Sequence, residues 1–227
     1  MYQLIRDALF SFPAALTFRV CAACAVLYAA VGFPLSYLLS RSRPAPRKII
    51  SFFVTLPLIF PPIAIGFMLL MLLGRNGPIG RPLESFLGLR LIFSMPGIVL
   101  AAFIAGVPLL VRPLSAAMGR VEIIRMEEAA RTLGCSPARV FLFVALPQSA
   151  NTAISGLLLG LARASGEVGI TMMLGGNISG RTNTLSLEIY NLVSRGEFDG
   201  AMGLCVLLAV AGVVIYAILE CISAEGL

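Results

Sequence analysis

The chain has 227 residues, 59% of them hydrophobic and only 12% charged, with a mean hydropathy of +0.96. A soluble domain carries about a quarter of its residues as charges, so this composition describes a membrane protein. His is absent, which removes His-based zinc and nucleophile chemistry. The formal charge of +6, carried almost entirely by Arg in short connections, follows membrane topology and offers no nucleic-acid module.

The first apolar run covers about residues 14–39. It is longer than the about 7–15 residues of a cleavable signal core, so it reads as a span. Cys21 and Cys24 form a C-x-x-C inside it, without a second pair; small-residue packing explains them better than metal or redox chemistry. The connection that follows holds Arg41, Arg43, Arg47 and Lys48 and no acid.

The second run covers about residues 49–73 and contains Pro57, Pro61 and Pro62. Each proline removes a ladder donor and crowds the turn before it. In lipid the freed carbonyls must be covered by protein or face a wet cavity. A broken helix near the centre of the protein is therefore expected, as a gate or as a simple kink. The third run covers about residues 95–111, with a helix able to continue to Met118.

A polar stretch at about residues 119–147 then interrupts the apolar pattern. Glu122, Glu127 and Glu128 load the early part of a helix with acid, which suits its positive end. Ala129, Ala130 and Leu133 give it a small, smooth surface. Gly134 can take the left-handed conformation that ends a helix. Ser136 can cap the next, with Pro137 at its first position, and Leu146-Pro147 marks the way into the following span. The expected product is a helix–turn–helix elbow at the membrane surface that a soluble partner can grip. An amphipathic interfacial helix without a partner is the plainer reading, but Glu-Ala-Ala is a poor lipid-facing sequence.

The fourth run covers about residues 151–174 and the fifth about residues 200–219. Thr152, Gly156, Gly160 and Ala164 recur at every fourth position of the fourth, a small-residue stripe for close helix packing within the subunit or across a dimer. The same run holds Arg163 and Glu167, one helical turn apart. Charges at this depth are costly; they form a mutual ion pair or line a path. Gly166, Gly169, Gly175 and Gly176 make the far half of this helix irregular. Ser165, Thr171 and Asn177 add hydroxyl and amide groups along it.

The chain thus reads as one all-α integral membrane domain over residues 1–227 with five spans. The Lys/Arg connections place the first and third loops in the cytoplasm, the N-terminus outside and the C-terminus inside. The second connection, with Arg75, Arg81 and Arg90, runs against that rule.

The polar stretch resembles the EAA motif of ABC-importer permeases, EAA-x3-G-x9-I-x-LP. Glu128, Ala129, Ala130, Gly134, Leu146 and Pro147 fall on its positions, and Val144 stands for the Ile. The resemblance implies a type I importer permease fold whose elbow, through Glu127, Glu128, Ala129, Ala130, Leu133, Gly134 and Pro147, docks into a separate cytoplasmic ATPase. LPLIFPPIAIGFMLL, FSMPGIVLAAFIAGVPLLVRPLSAAM and ARASGEVGITMMLGGNISGRTNTLSLEIYN resemble the molybdate branch of that family, whereas the acidic ending from Glu220 departs from it.

What the resemblance implies is a multi-pass subunit of the cytoplasmic (inner) membrane. A second copy of the chain, two ATP-binding subunits and an extracytoplasmic oxyanion-binding protein would complete it. ATP and Mg would sit on the ATPase, leaving no catalytic, cofactor or metal site on this chain. The implied substrate is molybdate, with tungstate. A sulfate or thiosulfate permease of the same family is the alternative, and an ATP-independent secondary transporter using Glu167 is a more distant one. Pro57, Pro61, Pro62, Arg163, Ser165, Glu167, Thr171 and Asn177 are the candidate path or gate residues.

Overall fold

The computed structural model of the protein describes residues 12–224; the acidic ending lies partly outside them. Helix α1 (Phe12–Arg41) crosses the whole bundle, α2 is Pro44–Ile59, α3 Pro62–Leu73 and α4 Gly80–Leu87. Helix α5 (Met95–Met118) follows, then α6 (Val121–Thr132), α7 (Pro137–Gln148), α8 (Ala150–Ser165) and α9 (Gly169–Gly175). The chain closes with α10 (Leu185–Arg195) and α11 (Phe198–Ala224). Helices α1, α5 and α11 are long and apolar enough to cross a membrane unbroken. The expected second and fourth spans are each split, into α2 with α3 and α8 with α9.

The splits have local causes. At the first, Phe60 and Pro61 take extended backbone, with ψ of 147° and 132°, because neither Pro61 nor Pro62 can donate to the ladder. At the second, Gly166 ends α8 and the chain re-enters helix at Gly169. Two milder proline effects occur elsewhere. Phe33 N–H donates to Tyr28 O and Leu146 N–H to Phe141 O, five residues back instead of four. Each widened turn sits immediately before a proline, Pro34 or Pro147. Widening relieves the clash between the ring and the preceding turn while keeping the helix continuous.

Helix α5 is the centre of the bundle, packed by α1, α2, α8 and α9. Its Ile98, Leu110, Leu114 and Met118 are fully buried. Between apolar helices in lipid the drive is close packing, not release of water, and the small-residue stripe serves that packing inside the subunit. A Cβ on Gly156 would come within 3.1 Å of the Leu110 Cα. Gly160 and Gly106 face each other beneath the ring of Tyr28. The Tyr28 hydroxyl lies 3.3 Å from Phe103 O and 3.4 Å from Ala102 O and Gly160 O. Cys24 is buried beside it, with its thiol 3.6 Å from Val99 O.

Two helices, α4 and α10, form in stretches that read as connections between spans. Helix α10 is tied down at its start: Leu185 N–H donates to Thr17 Oγ1 at 2.9 Å and Ser186 Oγ to Ser165 O at 2.7 Å.

Candidate functional site

The elbow is built by cap chemistry. Helix α6 ends at Thr132 with Leu133 as its cap, after which Gly134 takes φ +84°. Cys135 N–H returns to Ala130 O at 3.1 Å and Gly134 N–H to Arg131 O at 2.9 Å. These bonds satisfy the last carbonyls of the helix. Ser136 is extended, and its hydroxyl accepts Arg139 N–H at 3.4 Å, with Pro137 opening α7. Helix α7 then meets α8 at 82°, so the elbow lies across the end of the bundle and runs directly into the split span.

Exposure divides the motif residues. Glu128, Ala129, Gly134 and Pro147 are exposed, Ala130 is half-buried and Leu133 is 85% exposed. Glu127 points the other way and is 2% exposed. Arg41, at the end of α1, holds it through Nη2 at 2.5 Å and Nε at 3.0 Å. The Tyr37 hydroxyl donates to the same carboxylate at 3.2 Å, and Arg41 Nη2 also donates to Met118 O at 3.0 Å. Three elements, α1, α5 and α6, are thereby locked at one point. Arg41 and Tyr37 escaped the sequence reading. The available signal was that Ile123, Glu127 and Ala130 share one face of α6, with Ile123 buried, which turns Glu127 inward.

The second cluster is where the two split spans meet. Helices α3 and α9, the far halves of those spans, pack side by side. A Cβ on Gly169 would lie 2.8 Å from Pro62 Cβ, and one on Gly66 would lie 2.9 Å from Met173 Cβ. Ile65, Ile170 and Leu174 close this contact over Ala101 and Ala105 of α5. The break beside it is held by Glu167, 2% exposed. One carboxylate oxygen takes Arg163 Nη1 at 2.6 Å and the other accepts Ile170 N–H at 2.8 Å. The glutamate thus bridges the end of α8 to the start of α9. Of the two readings left open for this pair, the geometry gives the mutual ion pair.

Pro61 is exposed, while Pro57 and Pro62 are half-buried, Pro62 beside Gly169 of α9. Ser165 donates to Ala162 O at 2.9 Å, and Thr171 is buried. Asn177 does not lie along the fourth span. Gly176, at φ +72°, ends α9 first, and from the loop that follows the Asn177 amide donates to Asn191 Oδ1 of α10 at 2.5 Å.

The chain matches the family of binding-protein-dependent transport system inner membrane components over residues 32–224. It is similar to the molybdenum transport system permease protein ModB of Haemophilus influenzae, 35% identical over 190 residues, covering 83% of this chain and 82% of that one. It is also similar to a probable sulfate transport system permease protein of Zygnema circumcarinatum, 27% identical over 201 residues, covering 88% of this chain and 69% of that one. Among solved structures, a chain of a bacterial alginate ABC transporter crystallised with a periplasmic protein matches 96% of this chain and 80% of its own length, at a TM-score of 0.68 and 17% identity. That likeness is one of fold: the type I ABC permease bundle.

Proposed function

The chain belongs to the binding-protein-dependent transport inner membrane components, a multi-pass permease subunit distinct from the ATPase of such a system, and on that premise we propose that it imports molybdate, with tungstate, in an ATP-driven complex. Two copies form the path between them. Two cytoplasmic ATP-binding subunits grip the two elbows, and an extracytoplasmic oxyanion-binding protein delivers the substrate at the opposite end. The elbow end is then cytoplasmic, with the C-terminus on that side and the N-terminus outside.

The observation that carries the reading is the division of the elbow. Leu133 and the Glu128–Ala129 edge stand out for a partner, while Glu127 is bonded to Arg41 of α1, which also bonds Met118 O at the end of α5. A pull on the exposed face is therefore delivered to two spans at once. The direct continuation of α7 into α8 delivers it to the split span as well. The α3–α9 pair, hinged at Pro61 and Gly166, is the element such a motion would swing.

Molybdate is favoured over sulfate because the molybdenum permease match holds 35% identity over 190 residues, whereas the sulfate permease matches fall to 27% over 201 residues or hold 35% over only 122. Uptake into vesicles holding the chain, its ATPase and its binding protein tests both parts. Uptake that requires ATP and withstands excess sulfate supports the reading. Uptake abolished by sulfate moves the substrate to sulfate, and uptake without ATP refutes the importer. Gly134→Val, which places a β-branched residue at φ +84°, costs about 1–2 kcal/mol locally. It is expected to insert normally yet lose ATP-driven uptake; normal uptake would count against the elbow.

A further inference from the structure

At the elbow end a cavity of about 570 Å³ opens between the first turns of α2 and the last turns of α5. Arg47, Lys48 and Arg112 line it together with the hydroxyl residues Ser42, Ser51 and Thr55, and no acid lines it. Among the described residues no carboxylate lies within ion-pair distance of any of these three cations. Arg47 and Lys48, near the start of α2, fit the ordinary surplus of cations beside a span. Arg112, at the close of the apolar run of α5 and exposed, faces them across the cavity from the other helix.

Its position is fixed. Arg112 Nη1 donates to Ser51 Oγ at 2.6 Å across the two helices. That bond uses the oxygen of Ser51 as acceptor, and its own hydroxyl proton has no acceptor among the described residues. The guanidinium keeps its other N–H groups, and a tetrahedral oxyanion takes such donors well.

We infer that this cavity binds a tetrahedral divalent oxyanion at the cytoplasmic mouth of the path, with Arg112 and Ser51 as the fixed contacts and Arg47 and Lys48 as the outer cations. The inference rests on the importer reading for its direction, since the anion leaves here. Openness to water keeps the hold weak enough for release. The site differs in kind from the hydroxyl and amide groups sought along the fourth span.

The test is arginine labelling of the assembled complex with p-hydroxyphenylglyoxal, read peptide by peptide by mass spectrometry. Molybdate or sulfate at about ten times the dissociation constant should slow labelling of Arg112 about tenfold by mass action. Chloride at equal ionic strength should not, and Arg120, exposed outside the cavity, should be unaffected. Labelling of Arg112 that ignores both oxyanions overturns the site. So does protection that comes from phosphatidylglycerol in the bilayer and gains nothing from oxyanion, which would make it a lipid headgroup site.

In transport, Arg112→Gln should lower uptake about tenfold, the effect of one lost contact of about 1.4 kcal/mol, while binding-protein-stimulated ATP hydrolysis persists. Arg112→Lys should recover part of the loss, and full uptake by Arg112→Gln overturns the site. The failures separate. Wild-type vesicles that take up no oxyanion refute the importer reading, whereas normal wild-type uptake with unprotected Arg112 refutes this site alone.

Discussion

Glu127 and Glu167 are equally buried, each 2% exposed, yet they do different work because their partners come from different distances. Glu167 is held by Arg163 at i,i+4 and by the nearby Ile170 N–H, so it stiffens one break within one span. Glu127 is held by Arg41, 86 residues away, and by Tyr37, so it ties the elbow to another helix altogether. In the proposed cycle the local pair would shape a hinge and the long-range pair would transmit across the bundle. In both cases the arginine is the more exposed partner, with 21% side-chain exposure for Arg41 and 32% for Arg163. Removing the arginine therefore leaves the worse defect, a carboxylate that water cannot reach.

The largest expected effect breaks the long-range side of the comparison. Arg41→Ala leaves Glu127 buried with only the weaker bonds of Tyr37 and a more distant Arg131, at a cost of about 3–5 kcal/mol. Thermal stability of the detergent-solubilised protein should fall, and the ATPase should no longer co-purify. Arg41→Ala with Glu127→Ala should regain stability but not ATPase binding, which separates the buried charge from the mechanical tie. Equal stability of wild type and Arg41→Ala would refute the tie.

The local side should be more forgiving. Arg163→Ala leaves Glu167 with one backbone donor and should cost about 2 kcal/mol; Glu167→Gln should cost less, because Arg163 can turn to water and the amide oxygen can still accept from Ile170. ATPase co-purification should survive both, while uptake should fall. Loss of ATPase binding in either variant would erase the distinction between hinge and tie.

A smaller perturbation sharpens the hinge itself. Gly169→Ala puts a methyl 2.8 Å from Pro62 Cβ and should cost about 1 kcal/mol by overpacking. Its expected signature is a slowed transport cycle with intact stability of the elbow, seen as a lower initial rate of uptake with the uptake per ATP hydrolysed unchanged. Unchanged uptake would mean that α3 and α9 need no close contact.

The same contrast governs what the sequence could reveal. The elbow was legible because caps and turns are local: Gly134, Ser136 and Pro137 fix it with bonds that span no more than five residues. The break at Pro61 and Pro62 was legible because a missing donor is written in the residue itself. The Arg163–Glu167 pair was visible in its spacing. Arg41 with Glu127 and Arg112 with Ser51 were not, since those partners lie 86 and 61 residues apart and meet only in the folded bundle. Asn177 was misplaced by a few residues because Gly176 ends α9 before it. Helices α4 and α10 were missed because short amphipathic segments between spans carry no hydropathy signal.

The most direct test of the central claim places a photo-crosslinking residue at Leu133 and, separately, at Phe86 of α4, two comparably exposed positions at 85% and 87%. Both changes should leave stability within about 0.5 kcal/mol, as surface substitutions do. In membranes holding the full complex, the residue at 133 should crosslink to the ATP-binding subunit in a manner that changes when ATP is added, and the residue at 86 should not. Crosslinking to that subunit from position 86, or from neither while ATP-driven uptake proceeds, would contradict the assignment of the elbow as the coupling element.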